Sequence, residues 1–193
     1  MYRNNLSLIL TFLALMISLA SEPRAAAASD SSTKAQRFSV KTQYSSIQAG
    51  AARIDVAADP QLVTEIIRDF GNYTRLSDKF DKSRVIGRSG DSTDVYLQVP
   101  ILKGAAKIWA VVRFEPVRSA NGEQILTGHM VKGNVQRLDA TWKVKSAGTR
   151  QSRVELELLI VPRIPVPGSL VTSETAYAAD KAVTGVRNRA EQK

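Results

Sequence analysis

The 193-residue chain contains no cysteine and a single histidine, His129. Disulfide bonds, a lipidated N-terminal cysteine, cysteine–histidine catalysis and histidine-rich metal sites are therefore excluded. The sequence also lacks the Gly-x-Ser-x-Gly motif of many hydrolases and any glycine-rich phosphate-binding loop. We therefore expect neither a metal nor another cofactor.

Acidic residues are in the minority, since 27 Lys and Arg face 18 Asp and Glu, giving a formal net charge of +9. The basic residues are scattered, and no aromatic–basic RNA-binding motif is present. The sequence therefore predicts no nucleic-acid partner. The excess positive charge favours an anionic membrane surface, and the alternative is an ordinary solvated basic surface.

The longest apolar run lies at the N-terminus, in residues 6–20, and it is interrupted only by three hydroxyl residues. Arg3 precedes it, and small residues that include Ala26, Ala27 and Ala28 follow it. This order is typical of a secretory signal peptide. The run has about 15 residues, fewer than the roughly 20 that a membrane-spanning helix needs. We therefore predict that residues 1–28 are removed on export to the periplasm or the exterior. The alternative is an uncleaved membrane anchor.

Removing residues 1–28 leaves 165 residues, enough for one domain with its own core. Residues 29–43 are polar and Ser-rich, which predicts a disordered lead-in, followed by one domain at 44–190 and a tail at 191–193.

Residues 44–57 predict a first strand. Asp59 and Pro60 then form a helix start. The helix has apolar residues at helical spacing, and a second short helix is expected over 72–80. These apolar residues are Leu62, Val63, Ile66, Ile67 and Phe70.

The pattern changes to period two over residues 82–161, with turn-forming pairs at short intervals. It predicts six antiparallel strands in a meander. Prolines at 162, 165 and 167 end the last strand, and residues 168–190 predict a helix about 30 Å long. The resulting fold class is α+β: a curved antiparallel sheet of about seven strands, two short helices and a long C-terminal helix. The turn pairs include Lys103–Gly104, Asn121–Gly122, Gly133–Asn134 and Gly148–Thr149.

Folding the strands about these turns predicts which side chains share a face. Asp94 is placed opposite Arg113 on the outer face, and Trp142 opposite Leu156 on the inner face. The inner face is almost entirely apolar, and the only element left to cover it is the C-terminal helix with its small side chains. This combination predicts an apolar ligand cavity between the sheet and that helix. The alternative is that the large side chains of the sheet fill the space.

The same register places His129 on the inner face, between Phe114 and Leu138, with Thr127 beside it. We expect these two polar residues to bind a ligand head group; the alternative is a structural histidine satisfied by backbone or water. On the outer face, an aromatic and basic patch suits a membrane interface or a partner, with ordinary surface as the alternative. That patch comprises Tyr96, Lys107, Trp109 and Arg113. The predicted cavity residues are Phe114, Thr127, His129, Leu138, Trp142, Leu156, Val171, Tyr177, Ala178 and Ala182.

Three stretches resemble the SRPBCC superfamily, and most closely its polyketide-cyclase and coenzyme-Q-binding START group. They are the Asp-Phe-x-x-Tyr step at residues 69–73, the strand residues Gly128 and Trp142, and the Pro-x-x-Pro-Val-Pro run at 162–167. The likeness covers residues 44–190. It implies a helix-grip fold with a hydrophobic tunnel under the last helix. Members of the superfamily bind lipids, isoprenoid quinones, sterols or polyketides, although an export signal is a departure from the coenzyme-Q-binding proteins.

These observations predict an exported carrier or sensor that binds a lipid-like hydrophobic ligand. The alternative is a polyketide-cyclase-like or hydrolytic enzyme that acts on an apolar substrate, with His129 as its acid or base. Fold alone does not decide between them.

Overall fold

A computed structural model describes residues 34–43, 47–101 and 106–192. The predicted signal peptide, the Lys103–Gly104 turn, residues 44–46 and Lys193 lie outside these ranges. Within them, the chain forms nine strands, two α-helices and a 3₁₀ helix at Phe70–Arg75. The α-helices are α1 (Pro60–Arg68) and α2 (Gly168–Glu191). The strands are β1 (Gln36–Val40), β2 (Ala49–Val56), β3 (Lys82–Ser89), β4 (Ser92–Ile101), β5 (Ala106–Phe114), β6 (Arg118–Ala120), β7 (Glu123–Gly133), β8 (Arg137–Gly148) and β9 (Gln151–Val161).

All nine strands join one antiparallel sheet in the order β1-β2-β9-β8-β7-β5-β4-β3, with the short β6 paired to β7. Successive strands from β3 to β9 form the predicted meander, and β2 closes onto β9. The α+β helix-grip architecture is therefore confirmed, with two strands more than expected. One of them, β1, lies in the predicted disordered lead-in, so that prediction is wrong for residues 36–40. Its half-buried Phe38 and Val40 alternate with exposed neighbours and pair with β2.

The two α-helices begin where the sequence predicts, whereas the second short helix, predicted over 72–80, is the 3₁₀ helix at Phe70–Arg75. Asp59 has the extended backbone of an N-cap, Pro60 occupies the first turn, and Val63, Ile66 and Ile67 are buried. The helix ends at Asp69, whose N–H donates to the Ile66 carbonyl. α2 extends one residue beyond the predicted end and packs mainly on β2 and β9.

Glycines set how closely α2 approaches its neighbours. A Cβ atom at Gly50 of β2 would collide with the backbone nitrogen of Ala176, and one at Gly185 would collide with the Leu76 carbonyl. Ala179 and Ala182, between these points, are almost completely buried. The small side chains of α2 thus permit close packing along this part of the helix.

β7 departs from the predicted register by one residue on both sides. It pairs Phe114 with Gly128 and His129 with Asp139, so Leu126, Gly128 and Met130 face inward. A one-residue slip moves every side chain to the opposite face. The prediction that His129 and Thr127 point inward is therefore wrong.

Two features of the connections on either side of β7 cause this one-residue shift in register. The turn at Asn121–Gly122 forms as predicted, but Pro116 separates β6 from β5, and the ladder shifts by one residue across that interruption because proline has no N–H to donate. On the β8 side, Asn134 is the first residue of the connection between β7 and β8. Its side chain accepts from the Trp109 N–H at 2.9 Å and donates to the Lys107 carbonyl at 2.8 Å.

Candidate ligand site

A row of apolar side chains on the inner face of the sheet is only half-buried. Val99 pairs with Ile108, and Leu138 pairs with Ile160, on the same face as the buried Trp142. Towards the other end of these strands the inner residues are fully buried. We call the half-buried row the concave apolar surface; its members are Leu97, Val99, Ile108, Met130, Leu138, Leu158 and Ile160.

The positions of the helices explain why this surface stays accessible. α2 lies mainly along β2 and β9, at one side of the sheet. The 3₁₀ helix covers the opposite end of the central strands, where Phe70 stacks on Phe114 with ring centroids 4.5 Å apart. The concave apolar surface lies beside these two packed regions, as an extension of the core.

Tyr73 anchors the buried end of the sheet. Its hydroxyl donates to the Ile67 carbonyl at 2.6 Å and also interacts with Trp142. Burial raises the pKa of the Tyr73 phenol far above its usual range. Asp69 accepts hydrogen bonds from Asn72 and Arg189. The Asp-Phe-x-x-Tyr step is therefore a structural junction of the two helices and the sheet.

Charged groups on the central strands all point away from this surface. Within the described residues, every ionisable side chain of β4, β5, β7, β8 and β9 lies on the outer face. Arg113 forms a two-bond ion pair with Asp94, and this hydrogen bonding lowers the pKa of the Asp94 carboxyl. Burial opposes the charge of Lys143, but hydrogen bonds to Glu157 and Glu155 outweigh it and raise the pKa of this amine.

His129 belongs to this outer network. Its Nδ1 lies 3.6 Å from Oε1 of Glu115, and the other oxygen of Glu115 accepts a 2.6 Å hydrogen bond from Ser92. In a catalytic triad the imidazole stands between the nucleophile and the carboxylate, whereas here the carboxylate stands between serine and histidine. The expectation that His129 binds a head group inside the cavity under α2 is therefore wrong, and so is the alternative that it acts there as an acid or base.

The other predicted cavity residues occupy three environments. Phe114, Trp142, Leu156 and Ala182 are buried in the main core cluster, and Val171 is a buried residue of the first turn of α2. Tyr177 and Ala178 are half-buried on α2, with the Arg37 guanidinium 4.9 Å from the Tyr177 ring centroid. Of the ten, only Leu138 belongs to the concave apolar surface. The accessible apolar area lies beside the close-packed part of α2.

Sequence reasoning missed Met130 because β7 has apolar residues in both of its alternating sets. The sequence suggested that the set with Ile125 and Val131 faces inward, whereas the set with Leu126 and Met130 does so. The informative signal was Gly128, since a glycine inside a strand often marks a close approach of another group. A Cβ atom at Gly128 would lie 2.8 Å from the Phe114 ring.

The predicted outer patch assembles as expected on one face. The rings of Tyr96 and Trp109 stack with centroids 6.2 Å apart. Both of its cations have acidic partners, however, because Lys107 bonds Asp81 at 2.7 Å and Arg113 pairs with Asp94. The positive charge of the patch is thus compensated within the chain.

Two further searches concern only the residues that the structure describes. No helix there is long and apolar enough to cross a membrane. In the same ranges, no three potential His, Asp or Glu ligands lie close enough together to hold a metal ion.

The model of the family described as "Polyketide cyclase / dehydrase and lipid transport" matches residues 48–191. The chain belongs to this family. The match covers the sheet from β2 onward and the whole of α2. No curated protein matches the sequence.

Solved structures share the family fold at low sequence identity. A START superfamily protein from Mycobacterium smegmatis has a TM-score of 0.64 at 18% identity, covering 74% of this chain and 96% of its own. A STAR-related lipid transfer protein from Xanthomonas axonopodis has a TM-score of 0.69 at 12% identity, covering 82% and 94%. The Zhui aromatase/cyclase from Streptomyces sp. R1128 has a TM-score of 0.57 at 16% identity, covering 82% and 94%. The family match confirms the predicted superfamily, and the similar structures confirm its helix-grip fold.

Proposed function

We propose that this protein binds a lipid-like hydrophobic ligand on the concave apolar surface and acts as its carrier or sensor. The observation that carries the proposal is the row of half-buried apolar side chains that continues from the core along one face. Contiguous apolar surface of this kind is typical of ligand-binding grooves.

The apolar area that a ligand covers limits how tightly the concave apolar surface can bind it. Covering about 400 Å² of apolar area would contribute roughly 10 kcal/mol, against an association cost of about 4–15 kcal/mol. Apolar contact alone therefore supports weak to moderate affinity. Additional contacts to a polar part of the ligand would be needed for tight binding.

The family description names both lipid transport and polyketide cyclisation, and the similar structures include proteins named for each. We favour binding over catalysis because the concave apolar surface is formed by side chains that neither donate nor accept protons. The ionisable groups of the same strands are on the outer face, where most form ion pairs. The alternative is a cyclase-like enzyme that acts mainly by shaping an apolar substrate.

We also propose that the protein works outside the cytoplasm after removal of residues 1–28. The charged, apolar and small-residue segments of the N-terminus support this. N-terminal sequencing of the protein released by osmotic shock should begin near Ala28 or Ser29. An intact Met1 in washed membranes would instead indicate a membrane anchor.

An anionic lipid surface is the membrane partner that we propose. Support comes from the net charge, which is +9 for the full chain and falls only to +8 when Arg3, Glu22 and Arg24 are removed with residues 1–28. Ile164 and Leu170, whose side chains are 70% and 47% exposed where β9 leads into α2, add apolar contacts. Wild type should sediment with anionic vesicles but not with neutral ones, and Ile164→Ser should bind less. Equal binding of both proteins to both vesicles would contradict this.

Native mass spectrometry of protein purified from its own cell envelope tests the proposed function. Wild type should carry copurified lipid of one class. Val99→Glu should purify empty, because bound lipid would have to bury the introduced carboxylate. Gln98→Glu is the matched control, since the neighbouring side chain lies on the outer face of the same strand. Empty wild type that converts an apolar substrate to product would favour the enzyme.

A further inference from the structure

Strands β7 and β8 separate before either one ends. They pair from Glu123–Lys145 as far as His129–Asp139. Beyond that point β7 continues to Gly133 along β5, while Arg137 and Leu138 of β8 pair with β9. The facing residues Met130 and Leu138 thus lie on strands that have diverged.

The connection between the two strands holds this separation. Asn134 bonds to β5 through its side chain, and its N–H donates to the Trp109 carbonyl at 3.1 Å. Two residues later, the Gln136 N–H donates to the Val161 carbonyl of β9 at 2.8 Å. The connection therefore spans from β5 to β9 across the diverging strands. A groove of about 720 Å³ results, which is within the range of roughly 300–1,000 Å³ for small-molecule sites.

The groove has an apolar inner part and a polar rim. Met130 and Leu138 line it and are also members of the concave apolar surface, so the two spaces meet at these side chains. The rim consists of Gln136 in the connection and of His129, Arg137 and Asp139, which belong to the outer face of the sheet. The groove therefore joins the two faces of the sheet where the strands diverge. The arrangement resembles the polarity of an amphiphile, with apolar chain contacts inside and hydrogen-bonding groups outside.

We propose that this groove is a head-group site for the ligand, and that the ligand is an amphiphile whose head group carries no net charge. The proposal rests on the proposed function, because the apolar part of the same molecule would lie on the concave apolar surface. The polar rim of the groove would supply the polar contacts that burial of the apolar part does not provide.

The charge pattern of the rim favours an uncharged or zwitterionic head group. Arg137 is paired with Asp139, and His129 lies beside Glu115, so each basic side chain has an acidic neighbour. Such a rim offers donors and acceptors together. A head group with one uncompensated charge would be repelled by a like charge next to each group that attracts it. A phosphocholine or a hydroxyl group can instead interact with the basic and the acidic side chains together.

Single-cysteine variants can locate the head group, because the chain has no other cysteine. Gln136→Cys places a label on the rim, where the Gln136 side chain is exposed and its backbone N–H bonds to Val161. Ser169→Cys, exposed near the start of α2, and Thr149→Cys, exposed in the β8–β9 turn, are controls at other surfaces. Each is labelled with bimane and titrated with a lysophosphatidylcholine that carries a nitroxide on its choline group. Native mass spectrometry measures binding of the same probe independently.

We expect a one-to-one adduct, loss of most bimane fluorescence at residue 136 and little loss at 169 or 149. An adduct that quenches residue 169 instead would overturn the head-group site while leaving the proposed function intact. No adduct at all would overturn both.

Oleate, with a net negative head group, should bind at least about tenfold more weakly than oleoyl lysophosphatidylcholine, a difference of about 1.4 kcal/mol. Equal or tighter binding of oleate would refute the assignment of an uncharged or zwitterionic head group.

Discussion

Gly185 of α2 lies against the backbone carbonyl of Leu76, leaving no room for a Cβ atom. The same helix meets β2 closely at Gly50, where Ala176 and Thr175 fill the space. These two points fix α2 over β2 and β9. The concave apolar surface remains accessible because the helix is held to one side of the sheet.

Gly185→Ala should therefore destabilise the protein. An alanine in a helix normally gains about 0.5–1 kcal/mol over glycine. Overpacking against a backbone atom costs about 1–3 kcal/mol or more, so the loss should dominate. Urea unfolding measures the difference, and Gly71→Ala is the control because a Cβ there meets no neighbour within 4 Å. A more stable Gly185→Ala protein would contradict the close approach.

The assigned face of β7 can be tested with two adjacent residues. Leu126 is 4% exposed inside the core, and Ile125 is half-buried on the outer face. Leu126→Ala should lower the free energy of unfolding by about 2–5 kcal/mol, as buried leucine truncations do. Ile125→Ala should cost clearly less. The reverse order would support the register in which His129 points inward.

The hydroxyl of Tyr73 should contribute measurably to stability. Tyr73→Phe leaves the buried Ile67 carbonyl without its donor, which typically costs about 1–3 kcal/mol. Tyr96→Phe, whose hydroxyl bonds Gln98 on the half-buried outer face, should change the free energy of unfolding by less. Thermal or urea denaturation of the two variants gives the comparison. Equal effects would argue against a specific role for the Tyr73–Ile67 bond.

The Asp94–Arg113 pair predicts a pH dependence of folding. Because Arg113 lowers the pKa of folded Asp94, the pair stabilises the native state above the ordinary aspartate pKa of about 3.9. That contribution is lost as pH falls through the lower pKa of the folded protein. NMR titration should show an Asp94 midpoint below about 3.9, and Arg113→Gln should raise it towards that value. An unchanged midpoint in the variant would show that the ion pair does not cause the shift.

Local signals were enough to predict much of this fold. Asp59 and Pro60 start α1 because an N-cap and a first-turn proline act on the backbone directly. The pair Asp94–Arg113 forms as predicted within an unbroken ladder, and Trp142–Leu156 keeps its predicted register although the ladder shifts between Ser146 and Gly148. These inferences needed only spacing along the chain.

The site was harder to predict because it depends on contacts between distant residues. Asn134 fixes the β7–β8 connection through bonds to β5, and Pro116 interrupts the pairing with β7 between β5 and β6. Both shift β7 by one residue and move His129 to the outer face. The small residues of α2 suggested a space beneath the helix, but their contact with Gly50 and Leu76 is visible only in the fold.

Binding of an apolar fluorescent probe to two glutamate variants tests the central claim most directly. Ile108 lies on the concave apolar surface, whereas Val131 is 50% exposed at an irregular position in β7. Ile108→Glu should weaken binding at least about tenfold, because the bound probe would have to desolvate a carboxylate at a cost of about 1.4 kcal/mol or more. Val131→Glu should bind like wild type, with circular dichroism confirming that both variants fold. If folded Ile108→Glu binds the probe as tightly as wild type does, the concave apolar surface is not the ligand site.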